Sequence, residues 1–272
     1  MAGDFGLYTN KQKLCEVLLH CIRWGAAAPW ISNDHHVERM RKRLRLQYSF
    51  DHLRMRSCID LIEDTEMALT SFCKYGIAGA PNSKEDFGGR YLRLYGVLNA
   101  VQQQRLAIVQ LFEILKISGK KEVSKKLQNL KIIEVRNIVG AHTVNFADAS
   151  NTPEGIKANL FRITQNQLTD KCQDLHAVDS FGNVRYYNMY QEIISYLEST
   201  EKIMFGLTMN YLNKIFRNNI QEKKECLRHY EIEGLVPYNY TDLWELDKLR
   251  KIASDKILKE LKGDFKNGAF KK

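Results

Sequence analysis

No run of apolar residues in this chain approaches the roughly 18 that a membrane-crossing helix needs, which excludes a transmembrane span. The six cysteines, at 15, 21, 58, 73, 172 and 226, include no C-x-x-C pair. They read as scattered, mostly buried thiols of a reducing compartment. Only four prolines occur in 272 residues, with sixteen glycines, so little interrupts long helices. The opening MAGDFGLYTNKQK has no apolar segment after a basic start, so no secretory signal is expected and the chain reads as cytoplasmic. Gly88-Gly89 is not followed by Lys-Ser/Thr, which excludes a phosphate-binding loop of that type. His35 and His36 have no second ligand cluster at metal spacing, so neither metal nor cofactor is expected. Acidic residues are the minority charge, 32 against 41 basic, and the net charge is +9. That balance favours a polyanionic partner, with RNA, DNA and an anionic membrane surface all allowed.

What is present is mostly helical periodicity. Residues 9 to 25 form an amphipathic stripe through Leu14, Val17, Leu18, Cys21 and Ile22, with Thr9 or Asn10 as cap. A second helical stretch opens at Asp34 and carries a basic run, Arg39, Arg41, Lys42, Arg43 and Arg45. Residues 46 to 75 place Leu53, Met55, Cys58, Ile59, Ile62, Leu69 and Phe72 at helical spacing. The stretch 76 to 89 breaks that helix, and a second long one covers about 90 to 118, with Leu94, Val97, Leu98, Val101, Leu106, Ile108 and Phe112 inward. A third helix is expected over about 122 to 141.

The character changes at 145 to 158, which is polar and loop-like. Residues 159 to 167 and 175 to 187 alternate weakly, and Phe181-Gly182-Asn183 reads as a turn, so one or two short hairpins are predicted. Helix returns over 188 to 218, and a last amphipathic helix is expected from Thr241 through Leu261. The fold class is mainly α: a helical bundle with a small β-hairpin insertion and additional C-terminal helices. The chain divides into an N-terminal helical extension (1–45), a helical core (46–145), a loop with a short hairpin (146–187) and C-terminal helices packed on the core (188–272).

The residues with most chemical content are Arg136, Asn137 and His142, at the end of the third helix. The histidine can move protons near neutral pH, and the arginine can hold a phosphate and stabilise charge building on it. Arg45, in the basic run, and His52, with six residues between them, make a second match to a pattern of Arg, four to six residues, then His. On an ideal helix, residues six apart face directions about 240° apart. Two routes bring Arg136 and His142 together: an early helix end at Gly140, or a partner protomer supplying one of the two.

The run Lys131-Ile132-Ile133-Glu134-Val135-Arg136-Asn137-Ile138-Val139-Gly140-Ala141-His142, after two long helices, resembles the HEPN superfamily. Its members share a helical bundle and a motif of Arg, often Asn, a short spacer and His. The resemblance covers about residues 46 to 145. It implies metal-independent endoribonuclease activity at a composite site in a homodimer. In that reading Arg136 polarises the scissile phosphate and His142 is the general acid or base for attack by the ribose 2′-hydroxyl. Asn137 orients the histidine or holds phosphate. The upstream product ends in a 2′,3′-cyclic phosphate, and DNA survives because it lacks the 2′-hydroxyl. Proteins of this kind often act as toxins or in antiviral defence, which leaves room for a regulatory protein partner. The competing reading is a non-catalytic helical interaction or RNA-binding module acting with another effector. Arg39, Arg41, Lys42, Arg43 and Arg45 are candidate RNA-backbone contacts, although a solvated helix face is the commoner meaning of such a run. The same blander meaning applies to Glu63, Asp64 and Glu66, and to Gln102-Gln103-Gln104, expected at the surface.

Overall fold

The computed structural model describes residues 9–27, 33–79, 87–140, 161–163, 168–179, 181–232 and 240. Eight helices are described: α1 (Asn10–Ala26), α2 (Asn33–Arg43), α3 (Asp51–Tyr75), α4 (Phe87–Ile114), α5 (Lys120–Gln128), α6 (Lys131–Gly140), α7 (Met189–Ile215) and α8 (Ile220–His229). Three strands, β1 (Phe161–Ile163), β2 (Leu175–Asp179) and β3 (Val184–Tyr187), form one antiparallel sheet in that order. The protein is mainly α with a small β element. Among the described residues no helix is long and apolar enough to cross a membrane.

Local chemistry explains the helix starts. Thr9 caps α1: its hydroxyl accepts from the Gln12 N–H, and the Gln12 side chain accepts from the Thr9 N–H. This reciprocal box satisfies two backbone donors that a helix N-terminus leaves open. Asn219 caps α8 by accepting from the Glu222 N–H at 3.2 Å. The pattern Asn-x-x-Glu ahead of Cys226 and Leu227 marks this helix in the sequence, and the periodicity reading passed over it.

The third helix, expected as one piece, is two. The Asn129 N–H bonds back to Lys125, and Leu130 begins a new ladder by accepting from Ile133. On a continuous helix Ile132 and Ile133 would lie about 140° and 240° round from Leu127. The break lets all three be buried at 0–1% exposure. Leu53 and Leu106, expected inward, are 52% and 45% exposed. Each lies about 160° round its helix from the buried Met55 and Ile108, so neither is on the packed stripe. The linker at 145 to 158 and the helix expected after Thr241 lie outside the described residues.

The three long helices α3, α4 and α7 pass through two apolar clusters with a polar layer between them. On α3 the first cluster ends at Ile62 and the second begins at Leu69. On α4 the change falls between Val101 and Ala107, and on α7 between Leu197 and Ile203. At that level lie Glu66, Gln104, Thr200 and Glu201, all buried. Lys11 of α1 enters the layer fully buried and pairs with Glu66 at 2.6 Å. Its ammonium also donates to Thr200 Oγ1 (2.8 Å) and Gln104 Oε1 (3.3 Å). The Tyr240 hydroxyl lies 3.0 Å from Glu66 Oε1 and 3.1 Å from Glu201 Oε2, while Asn10 donates to Glu201. Burial, then the two carboxylates, drives the Tyr240 phenol far above its ordinary pKa, so it stays a donor. Glu66 and Gln104 are therefore interior groups, contrary to the surface positions expected of them. They are buried because each has partners that replace water.

The sheet is held against the α3–α4 connection. Gly76 has φ +65°, and a Cβ there would meet the Asp170 carbonyl oxygen at 1.9 Å, so only glycine fits. The Ile77 N–H donates to that carbonyl at 2.7 Å. Arg90 donates to Leu168 O and to the Asp170 carboxylate (2.8 Å). In the β2–β3 turn, Asp179 accepts from the Phe181 and Asn183 N–H groups, with Gly182 at φ +84°. Leu175, Ala177 and Tyr187 face the second apolar cluster.

Candidate functional site

Arg136 and Asn137 sit near the C-terminal end of α6, on its solvent side. Val135, Ile138 and Val139 turn inward at 0–8% exposure, which leaves Arg136 half-buried and Asn137 exposed. Arg136 Nη1 donates to Asn137 Oδ1 at 3.1 Å. That bond uses one lone pair of the amide oxygen and leaves the two N–H donors of the Asn137 amide without a bond among the described residues. His142 lies outside the described residues, in the stretch between Gly140 and Phe161, so neither route that would bring it to Arg136 is tested.

A second guanidinium stands close by. Burial lowers the pKa of Arg105 on α4 from its ordinary value; Tyr196 opposes that shift and the nearby Arg136 charge adds to it. Arg105 Nε donates to Gln102 at 3.3 Å. Among the described residues neither Arg105 nor Arg136 has a carboxylate at ion-pair distance. Two neighbouring cations without a counter-ion favour an anion between or beside them. Arg105 was not singled out in the sequence, because only packing of α4 on α6 brings it to the motif.

Asn137 also lines a depression of about 600 Å³ at the α5–α6 break, with Gln128, Asn129, Lys131, Glu134 and Arg185. Glu134 accepts from Tyr187 Oη (2.8 Å) and from Arg185 Nη1 (3.3 Å). A second depression of about 360 Å³ adjoins it along α5, lined by Lys120, Lys121, Ser124, Lys125 and Gln128. Gln128 belongs to both, so they form one surface. Lys120, Lys121 and Lys125 are exposed, and Lys120 pairs with Glu113. The sequence signal for these lysines was available: Lys121, Ser124, Lys125 and Gln128 recur at helical spacing on one face.

The earlier basic run lies elsewhere, on the α2 side of the first apolar cluster. Arg41 is committed to the fold: it pairs with Glu38 at 2.6 Å and donates to the Leu46 and Gln47 carbonyls. Arg43 lies over the Trp24 ring at 4.2 Å, and Arg39 is half-buried. Lys42 and Arg45 are exposed. Arg45 lies near Lys214 of α7: burial, then the Lys116 and Arg45 charges, lowers the Lys214 pKa. The structure thus divides the run and brings none of it to Arg136.

Other nucleophile and ligand candidates are committed to the fold. Burial raises all six thiols, Cys58 and Cys226 to about 11 and Cys73 and Cys172 to about 12, so they stay protonated. His52 Nδ1 contacts Ser49 O at 2.8 Å, a local turn contact. Among the described residues no three His, Cys, Asp or Glu side chains gather in a metal-binding group. Comparison with protein-family models, with curated proteins and with solved structures gives no match.

Proposed function

We propose that this protein is a metal-independent endoribonuclease of HEPN type, with Arg136, Asn137 and His142 as its working residues and a homodimer as its active form. The observation that carries the reading is the Arg136–Asn137 hydrogen bond beside a groove that Asn137 lines, with the Arg105 and Arg136 charges acting on one another and neither facing a carboxylate at ion-pair distance among the described residues. Such a pair stabilises the charge of a pentavalent phosphate more than that of the ground-state diester. Arg136 polarises the scissile phosphate, and Arg105 strengthens the positive field behind it. Asn137, held by Arg136, presents its amide nitrogen to a non-bridging oxygen. His142 moves the proton of the 2′-hydroxyl or of the leaving 5′-oxygen. A role as toxin or defence effector in the cytoplasm follows from the same reading.

Purified protein incubated with labelled total RNA in EDTA tests it. Wild type cleaves, leaves 2′,3′-cyclic phosphate ends and spares DNA. Arg136→Ala, which removes charge stabilisation, and His142→Ala, which removes the proton-transfer group, each lower the rate by at least about 100-fold. Equal cleavage by all three proteins would sink the assignment.

A second reading, an RNA-binding module without chemistry, is favoured by one observation: the basic surface along α5 does not depend on His142. Tight RNA binding with no cleavage by wild type is its signature.

A further inference from the structure

Among the described residues, the face of α5 made by Lys121, Ser124, Lys125 and Gln128 carries no acid, and neither does the rest of the depression it lines. It shares Gln128 with the groove lined by α6 residues and by Arg185 of β3. Lys121 and Lys125 are one turn apart, a rise of about 6 Å, comparable to one nucleotide step in an extended strand. Beyond them come Lys131 and Arg185, and then Asn137, which is bonded to Arg136. Each of these groups is a hydrogen-bond donor suited to phosphate oxygens. A groove of about 600 Å³ has room for about one or two nucleotides of a single strand.

Among the described residues the only acid lining that groove is Glu134. Its carboxylate accepts from Arg185 and Tyr187, as a phosphate would. A strand phosphate entering the groove competes with Glu134 for Arg185.

We propose that the acid-free face of α5 and the groove at the α5–α6 break form one track for the backbone of single-stranded RNA, leading the strand to Arg136 and Asn137. The track rests on the nuclease reading only for the choice of RNA and for its destination. Its contacts are electrostatic, so affinity falls steeply with salt. Four contacts, from Lys121, Lys125, Lys131 and Arg185, give a log–log slope of about −2.8 on a single strand, hence about 50-fold weaker binding between 50 and 200 mM salt.

The test measures anisotropy of a labelled single-stranded RNA oligonucleotide with the full chain carrying His142→Ala, so that cleavage does not intervene. Lys121→Gln with Lys125→Gln, and separately Lys131→Gln with Arg185→Gln, each weaken binding at least about 10-fold and reduce the salt slope by about 1.4. Lys126→Gln with Lys224→Gln removes the same charge away from the track, leaves binding within about 2-fold of the parent and serves as the control. Thermal melting confirms that all three double variants fold. Track variants that bind like the parent, or a control pair that loses as much, would overturn the proposal. Equal affinity for duplex RNA would also overturn it. So would loss of binding to phosphatidylserine vesicles with RNA binding intact, which points to a membrane surface. The two readings fail separately. No cleavage by wild type, with track-dependent RNA binding, ends the nuclease reading and keeps the track. Cleavage that ignores the track substitutions does the reverse.

Discussion

Glu63 on α3 is half-buried, and Glu16, Asp60 and Asp64 surround it. Burial first, then these three carboxylates, raises its pKa to about 7 from an ordinary 4.5. The folded state therefore holds a proton that the unfolded chain has released between about pH 4.5 and 7, and stability falls as pH rises through that window. Glu63→Gln keeps the neutral form at every pH. Its melting temperature should match wild type near pH 4 and exceed it at pH 8. Parallel melting-temperature profiles for the two proteins would remove Glu63 as the cause. The motif residues illustrate a different lesson of the same scale. Arg136 and Asn137 were legible from their identity and spacing, and their mutual hydrogen bond is a local consequence of adjacency. Arg105 was not legible, because its partner is 31 positions away in sequence and on another helix.

At the scale of elements, the helices follow their caps and stripes. Thr9 does more than end a loop: the first two helical residues after it, Asn10 and Lys11, are the ones that enter the buried polar layer. Thr9→Ala should cost about 1 kcal/mol in urea unfolding, the usual value of an N-cap. A loss below about 0.3 kcal/mol would mean that tertiary contacts alone position Lys11. The α5–α6 break shows where periodicity stops being informative. Leu127 and Ile133 read as inward positions of one helix, and the sequence contains no proline or glycine between them to signal a break. Packing into two clusters set the kink, with Leu130 touching both. The same break opens the groove beside Asn137, so the shape of the candidate site was hidden for the same reason as the kink.

Across the whole molecule, the polar layer keeps α3, α4 and α7 in mutual register. An apolar bundle tolerates a helix sliding by one turn, whereas Lys11, Glu66 and Gln104 meet only when the helices stand at one level. Lys11→Met leaves Glu66 without its cation and should cost about 3–5 kcal/mol. Lys11→Met combined with Glu66→Leu removes both charges and should cost less than Lys11→Met alone. Denaturant unfolding of the singles and the double measures the difference, and simple additivity would show that the pair is not coupled.

The sequence by itself determined that the protein is mainly helical, where its long helices run, that its sheet is small and that most of its thiols are buried. These properties follow from periodicity, capping and composition, which act between residues a few positions apart. Tertiary structure decided which polar residues are inside, which arginine stands beside Arg136, and that the lysines of α5 run into the groove of α6. Those outcomes depend on pairs such as Lys11 with Glu66 and Arg105 with Arg136, whose partners are distant in sequence and meet only when helices pack. A buried charge is indistinguishable from a surface charge until the group that replaces its water is in place.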